Sequence, residues 1–226
     1  MNFLAIFLGI LPGLIWLFFY LQEDIHPEPK RLILTAFIVG GLMAVPVIIF
    51  QVLTNDILVF LKLKNIIISI AALALIEEVF KFIAAYWTIN KNPAFDEPID
   101  AMIYLITAAL GFATIENILI MGNIFYLRDA AFLTTAFSIT ALRFIGATLL
   151  HALASGLLGY YWAVGLIKKS LGKNLSYGLF MAVLIHSIFN YLVLQFKSTH
   201  FLYPSLFLIV AAILVLVDFE KLRKMV

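Results

Sequence analysis

Apolar residues in this chain come in long blocks broken by short polar stretches, not at the beat of a surface helix or a half-buried strand. Runs of spanning length lie at roughly 2–21, 32–53, 66–86, 100–122, 142–167, 176–196 and 203–219. Each is close to the ~20 residues a helix needs to pass ~30 Å of hydrocarbon. Lipid offers backbone groups no hydrogen bonds, so each run is expected to be a helix. A further apolar piece, about Ala131 to Ala141, is too short to cross and reads as an interfacial or re-entrant segment leading into the fifth helix. The pattern predicts an all-α polytopic membrane bundle of about seven transmembrane helices plus this short segment, or eight spans if the segment crosses.

Composition strengthens the picture. The 226 residues are 64% hydrophobic and only 12% charged, where a soluble domain would carry about a quarter charged. No Gly/Ser/Pro-rich linker divides the chain, and residues 1–226 read as a single integral-membrane domain. The first run lacks a basic leader and an A-x-A-like exit, so it is expected to be a retained helix. There is no cysteine, which removes disulfides, thiolate ligands and a cysteine nucleophile. The net charge of +2 gives nucleic-acid binding no support.

Lysine and arginine in the loops set an expected orientation. With the N-terminus outside, Lys30, Arg31, Lys91, Lys168, Lys169, Lys173, Lys221, Arg223 and Lys224 fall inside, against Lys62, Lys64, Arg128 and Lys197 outside, nine to four. The C-terminus is then cytoplasmic. An eighth span would move the 168–173 cluster outside, which weakens that alternative.

The third run carries Glu77-Glu78-Val79-Phe80-Lys81 at its middle. Three ionisable groups there oppose insertion by roughly 7 to 10 kcal/mol, against roughly 3 to 7 kcal/mol from the Leu, Ile, Val and Phe of the run. This helix needs polar partners. One lysine neutralises one carboxylate, and the other must be protonated, hydrogen-bonded to another helix, or bound to a metal or water. Adjacent glutamates point about 100° apart and should take different roles: one a general base, the other a partner to Lys81. A structural Glu-Lys tie is the plainer alternative.

Other spans supply candidates at similar depth. Counted from the outer ends, Glu77, Glu78, His151, His186, Glu116 and Asn190 fall about 9 to 17 Å below the surface. His186 and Asn190, four residues apart on one face, suit donation to an oxyanion or the holding of a water, or else interhelical glue. His151 begins a face with Ser155 and Gly159, a small-residue stripe that explains packing but not a histidine in hydrocarbon. Glu116-Asn117 offers a metal ligand, an acceptor for a histidine N–H, or a packing group. Arg143, near a helix end, reads as a snorkelling side chain. Asp96, Glu97 and Asp100 precede a helix and suit its N-terminal dipole. Should a metal be present, Glu77, His151, His186 and Glu116 are its candidate ligands and zinc is the ion to weigh. The H-E-x-x-H spacing is absent, so the residues favour no cofactor.

At these positions the chain resembles the PrsW family of intramembrane proteases, within the wider group of CAAX-protease and bacteriocin-immunity-type membrane proteases. The resemblance runs through EEVFK (Glu77 to Lys81), FDEPIDAMIY (Phe95 to Tyr104), GFATIENIL (Gly111 to Leu119), HALASGLLGYY (His151 to Tyr161) and IHSIFNYL (Ile185 to Leu192). Asn190 stands where PrsW relatives often carry Asp. The resemblance implies an endopeptidase that cuts membrane-associated proteins at or near the membrane, among them anti-sigma factors, with Glu77, Glu78, His151, His186 and Asn190 as the catalytic group. Family descriptions include both metalloprotease and glutamate protease; the residues favour the glutamate type, with Glu77, assisted by His151, activating water and His186 and Asn190 holding the oxyanion. A proton-coupled transporter or channel using the Glu/His cluster as a relay is the competing class, set back by the missing repeat.

Overall fold

The computed structural model of the chain describes residues 3–63, 65–127, 132–196 and 201–225, and these residues form helices and no strand. Two helices make the centre. α5 (Asp100–Leu127) is buried on every side as far as Thr114, and α7 (Leu149–Ile167) as far as Gly159. A helix that is apolar all round has no face to give to an aqueous surface and belongs inside. Small residues let its neighbours close in: a Cβ on Gly159 would lie 2.7 Å from the Cα of Met102 on α5, so only bare backbone permits that approach.

Around this pair run α1 (Phe3–Leu21), α2 (Lys30–Leu42), α3 (Ala44–Phe60), α4 (Ile66–Ile89), α8 (Leu171–Phe196) and α9 (Leu202–Arg223). Their outer faces present large apolar side chains such as Phe18, Phe60, Trp87 and Phe180, which lipid tails solvate as readily as protein does. Among the described residues six stretches are long and apolar enough to cross a membrane: Phe3–Leu21, Lys30–Phe60, Asp100–Tyr126, Leu133–Ile167, Leu171–Phe196 and Leu202–Arg223. α4, at 24 residues and about 36 Å, is set apart from them only by the three charges at its middle. Asn65 caps it, its side chain accepting from the backbone N–H groups of Ile67 and Ile68.

Two expectations are revised. The run at 32–53 is not one straight helix: it breaks at Met43 into α2 and α3 and continues to Phe60. Pro46 has no N–H to give the carbonyl four residues back, which loosens the ladder at that joint. The short segment, whose first residue lies outside the described residues, is not a separate interfacial piece. α6 (Phe132–Arg143) passes through a π-helical turn, Phe144–Thr148, directly into α7. Its threonines lower the hydropathy without breaking the helix, because the Thr140 hydroxyl donates back to the Ala136 carbonyl at 2.8 Å. The joined helix Leu133–Ile167 has 35 residues and is about 52 Å long, more than the hydrocarbon needs.

Candidate active site

Polar side chains from separate helices meet at one place in the bundle. α4 contributes Glu77, Glu78 and Lys81, α5 contributes Glu116 and Asn117, the α6–π joint contributes Arg143 and Thr148, α7 contributes His151 and Ser155, and α8 contributes His186. Glu78, Lys81 and Ser155 are wholly buried, and Glu77, His151 and His186 nearly so. Buried charges persist only when paired and hydrogen-bonded. Here Glu78 is the hub. Its Oε1 accepts from Lys81 Nζ at 2.8 Å and from His186 Nδ1 at 2.8 Å, and its Oε2 accepts from the Ser155 hydroxyl at 3.2 Å.

These contacts fix both imidazoles. A carboxylate only accepts, so His186 carries its proton on Nδ1 and presents a lone pair on Nε2. His151 is held the opposite way round: its Nε2 meets Glu116 Oε2 at 3.0 Å, leaving the lone pair on Nδ1. Glu116 in turn accepts from Arg143 at 3.3 Å, and Arg143 also donates to Asn117, whose amide reaches the Thr148 hydroxyl at 3.1 Å. Carboxylates that take the second N–H of a ligating histidine set its tautomer and raise its basicity.

Three donor atoms then converge. Glu77 Oε2 lies 3.6 Å from His186 Nε2 and 3.8 Å from His151 Nδ1, and it has no hydrogen-bond partner. All three donor atoms fall within 4.8 Å of one another. Donors bound tetrahedrally at zinc distances are about 3.3 Å apart, so Glu77 Oε2 needs to come only a few tenths of an ångström closer to each imidazole nitrogen. Three lone pairs facing one point repel unless a cation sits among them. In this arrangement the Lys81 ammonium meets part of that need, 2.6 Å from His151 Nδ1 and 3.5 Å from Glu77 Oε2. The other oxygen, Glu77 Oε1, accepts from the Gln51 side chain of α3 at 2.9 Å.

The residues picked out from sequence mostly meet here. Glu77, Glu78, His151 and His186 share the cluster, and Glu116 stands behind His151 rather than among the three converging donors. Asn190, half-buried one turn along α8, takes no part in the hydrogen bonds that join the cluster. Arg143 does not snorkel; it braces Glu116 and Asn117. Gln51 was not singled out, although a lone amide at the middle of an apolar helix is the kind of signal that marks a partner.

The chain matches the description "PrsW family intramembrane metalloprotease" over residues 28–217. It is 32% identical to Protease PrsW of Oceanobacillus iheyensis over 84% of this chain and 83% of the relative. It is 29% identical to Protease PrsW of Geobacillus kaustophilus, covering 89% and 84%, and 28% identical to that of Clostridioides difficile, covering 96% and 89%. No solved structure matches it. With a multi-pass helical bundle, buried carboxylates and imidazoles gathered from separate spans, and this agreement along nearly the whole sequence, the chain belongs to the PrsW family of intramembrane proteases.

Proposed function

We propose that the protein is an intramembrane endopeptidase that hydrolyses peptide bonds of membrane-anchored proteins, and that Glu77 Oε2, His151 Nδ1 and His186 Nε2 hold a zinc ion at its centre. The observation that carries this reading is the convergence of two fixed imidazole lone pairs on a carboxylate oxygen that has no hydrogen-bond partner. Two histidines and a glutamate are a donor set known for catalytic zinc. When bound, the ion supplies an activated water at neutral pH and polarises the scissile carbonyl.

The chain's own groups do the rest. Glu77 Oε1, outside the donor set, takes the proton of the attacking water and returns it to the leaving amine. Glu78 and Glu116 keep the two rings aimed. Lys81 offsets the negative charge of the carboxylates. His186, with Nδ1 engaged by Glu78, acts through Nε2 rather than as an oxyanion donor. Asn190, free of the cluster, is then the donor for the oxyanion. The loop lysines and arginines support a membrane orientation with the N-terminus outside and the C-terminus cytoplasmic. The family resemblance supports a single-span substrate of the anti-sigma-factor kind.

The test is release of a labelled soluble fragment from a single-span substrate in vesicles. Glu77→Ala, with insertion retained, is expected to lose at least about a hundredfold in rate, and the wild type to contain one zinc per chain. Near-normal turnover by the variant would rule out the centre. Full activity after the metal is stripped would rule out the ion and leave a glutamate-type hydrolase.

A further inference from the structure

Gln51 and the helix that carries it have no place in the chemistry just described. The Gln51 carboxamide donates to Glu77 Oε1, the oxygen that serves as base in the proposed mechanism. A carboxamide is chemically a peptide group, one N–H face and one carbonyl. It sits against the reacting carboxylate as a substrate's backbone amide would.

The helix around it is loosely held. Of the 17 residues of α3 only Ala44 and Val47 are buried, both in its first turn. Beyond them α3 touches the site helix through Phe50 against Phe80, ring centroids 5.3 Å apart, and through Gln51 itself. α2, by contrast, is locked to the centre: a Cβ on Gly40 would land on the Ala108 carbonyl, and one on Gly111 would land on that of Phe37. The fixed and loose halves of one span meet at Met43, beside the Pro46 joint. Few buried contacts and a ladder that lacks the rung Pro46 cannot donate are features of an element that opens below the global stability.

We infer that α3 is the gate by which substrate reaches the centre and that Gln51 is its latch. An unwound segment of a single-span membrane protein displaces α3, and a backbone N–H of that segment takes the place of the Gln51 amide on one lone pair of Glu77 Oε1, leaving the other lone pair to receive the proton of the water. The substrate class follows from the same chemistry. A membrane-embedded segment stretched open for cleavage exposes N–H groups that lipid does not satisfy, and Glu77 Oε1 is an acceptor for one of them. This inference rests on the protease reading for its meaning, yet its test has an arm that needs no turnover.

The chain has no cysteine, so the pair Phe50→Cys/Phe80→Cys can be bridged cleanly with a short bis-methanethiosulfonate reagent. In zinc-stripped vesicles, a synthetic single-span leucine–alanine helix with an unstructured outer segment is expected to slow bridging several-fold. Bridging at one speed with and without that peptide overturns the gate, whatever the chemistry of the centre. In metal-loaded protein, bridging is expected to lower cleavage at least about tenfold, reversibly by reductant. Turnover of the bridged form at the unbridged rate overturns the gate as well. Gln51→Leu, which needs no reagent, is expected to lower KM about fivefold with kcat unchanged, since the closed state taxes binding. A fall in kcat at constant KM would make Gln51 a positioning residue instead. If the wild type cleaves nothing while the peptide still slows bridging, the protease reading fails and the gate stands.

Discussion

The molecule holds two gatherings of carboxylates, and they are built on different plans. At the end of the bundle where the loops 22–29 and 90–99 meet, each acid closes the chain on itself. Asp100 accepts from the backbone N–H groups of Asp96 and Glu97 at 3.1 and 2.8 Å, and Asp24 accepts from that of His26 at 3.0 Å. Tyr104 donates to Glu28, His26 meets Glu97 at 2.6 Å, and Arg223 of α9 holds Glu23 at 2.8 Å. These are staples between loops and helix ends. Inside the bundle the same residue types are held by other side chains across helices, and Glu77 Oε2, left without a hydrogen bond, faces two imidazole nitrogens. Carboxylates alone do not mark a site; the direction of the unused lone pairs does.

The sharpest way to break that comparison is to delete one imidazole at a time. His151→Ala and His186→Ala are each expected to lose stoichiometric zinc and at least about a thousandfold in cleavage rate. Asp100→Asn, in the stapled group, should keep both. Zinc content and fragment release on the same preparations check it. Equal losses in the two groups would show that the inner cluster is no more than structural glue.

A smaller effect probes the layer behind the donors. Glu116 touches neither Glu77 nor His186 in the hydrogen-bond network but holds His151 Nε2, and Arg143 braces it. Glu116→Ala is expected to weaken zinc affinity and activity by about 10- to 100-fold. Glu116→Gln should recover much of this loss, because its carbonyl can still accept the imidazole proton. Zinc competition against a chelator separates this positioning role from one in the chemistry, which would leave metal affinity unmoved.

Much of this architecture could be read along the chain, and the reasons for what could not are physical. Block hydropathy marks spans because lipid permits little else. It located α1, α4, α5, α8 and α9 to within a few residues, apart from the C-terminal ends of α5 and α9 and the start of α8. It misread α6, since threonine hydroxyls that bond their own helix count as polar on any hydropathy scale. Glu77, Glu78, His151 and His186 were legible because ionisable groups in hydrocarbon demand an explanation, and counting residues from the span ends put them at one depth. Depth does not give azimuth. So Arg143 could be taken for a snorkelling side chain, although it is turned toward Glu116. The tautomers that make the donor set visible depend on which carboxylate each ring meets, and no spacing encodes that.

The faintest difference between the two gatherings is one of pH. Burial pushes the Glu28 carboxyl above its ordinary value, and the Tyr104 hydrogen bond only partly opposes this; burial raises Asp24 in the same direction. A carboxyl whose pKa is raised on folding binds its proton more tightly in the folded state than in the unfolded one. Its contribution to stability is therefore present below the ordinary carboxylate value and fades as pH rises through the raised one. The thermal midpoint of the detergent-solubilised protein is expected to slip downward between those two pH values. Glu28→Gln keeps an acceptor for the Tyr104 hydroxyl but has no proton to lose, so it should flatten the slope. Solvent at this half-open loop screens the effect and makes it the smallest of those expected here. A variant with the wild-type slope would place the titration elsewhere and reduce Glu28 to a hydrogen-bond acceptor for Tyr104.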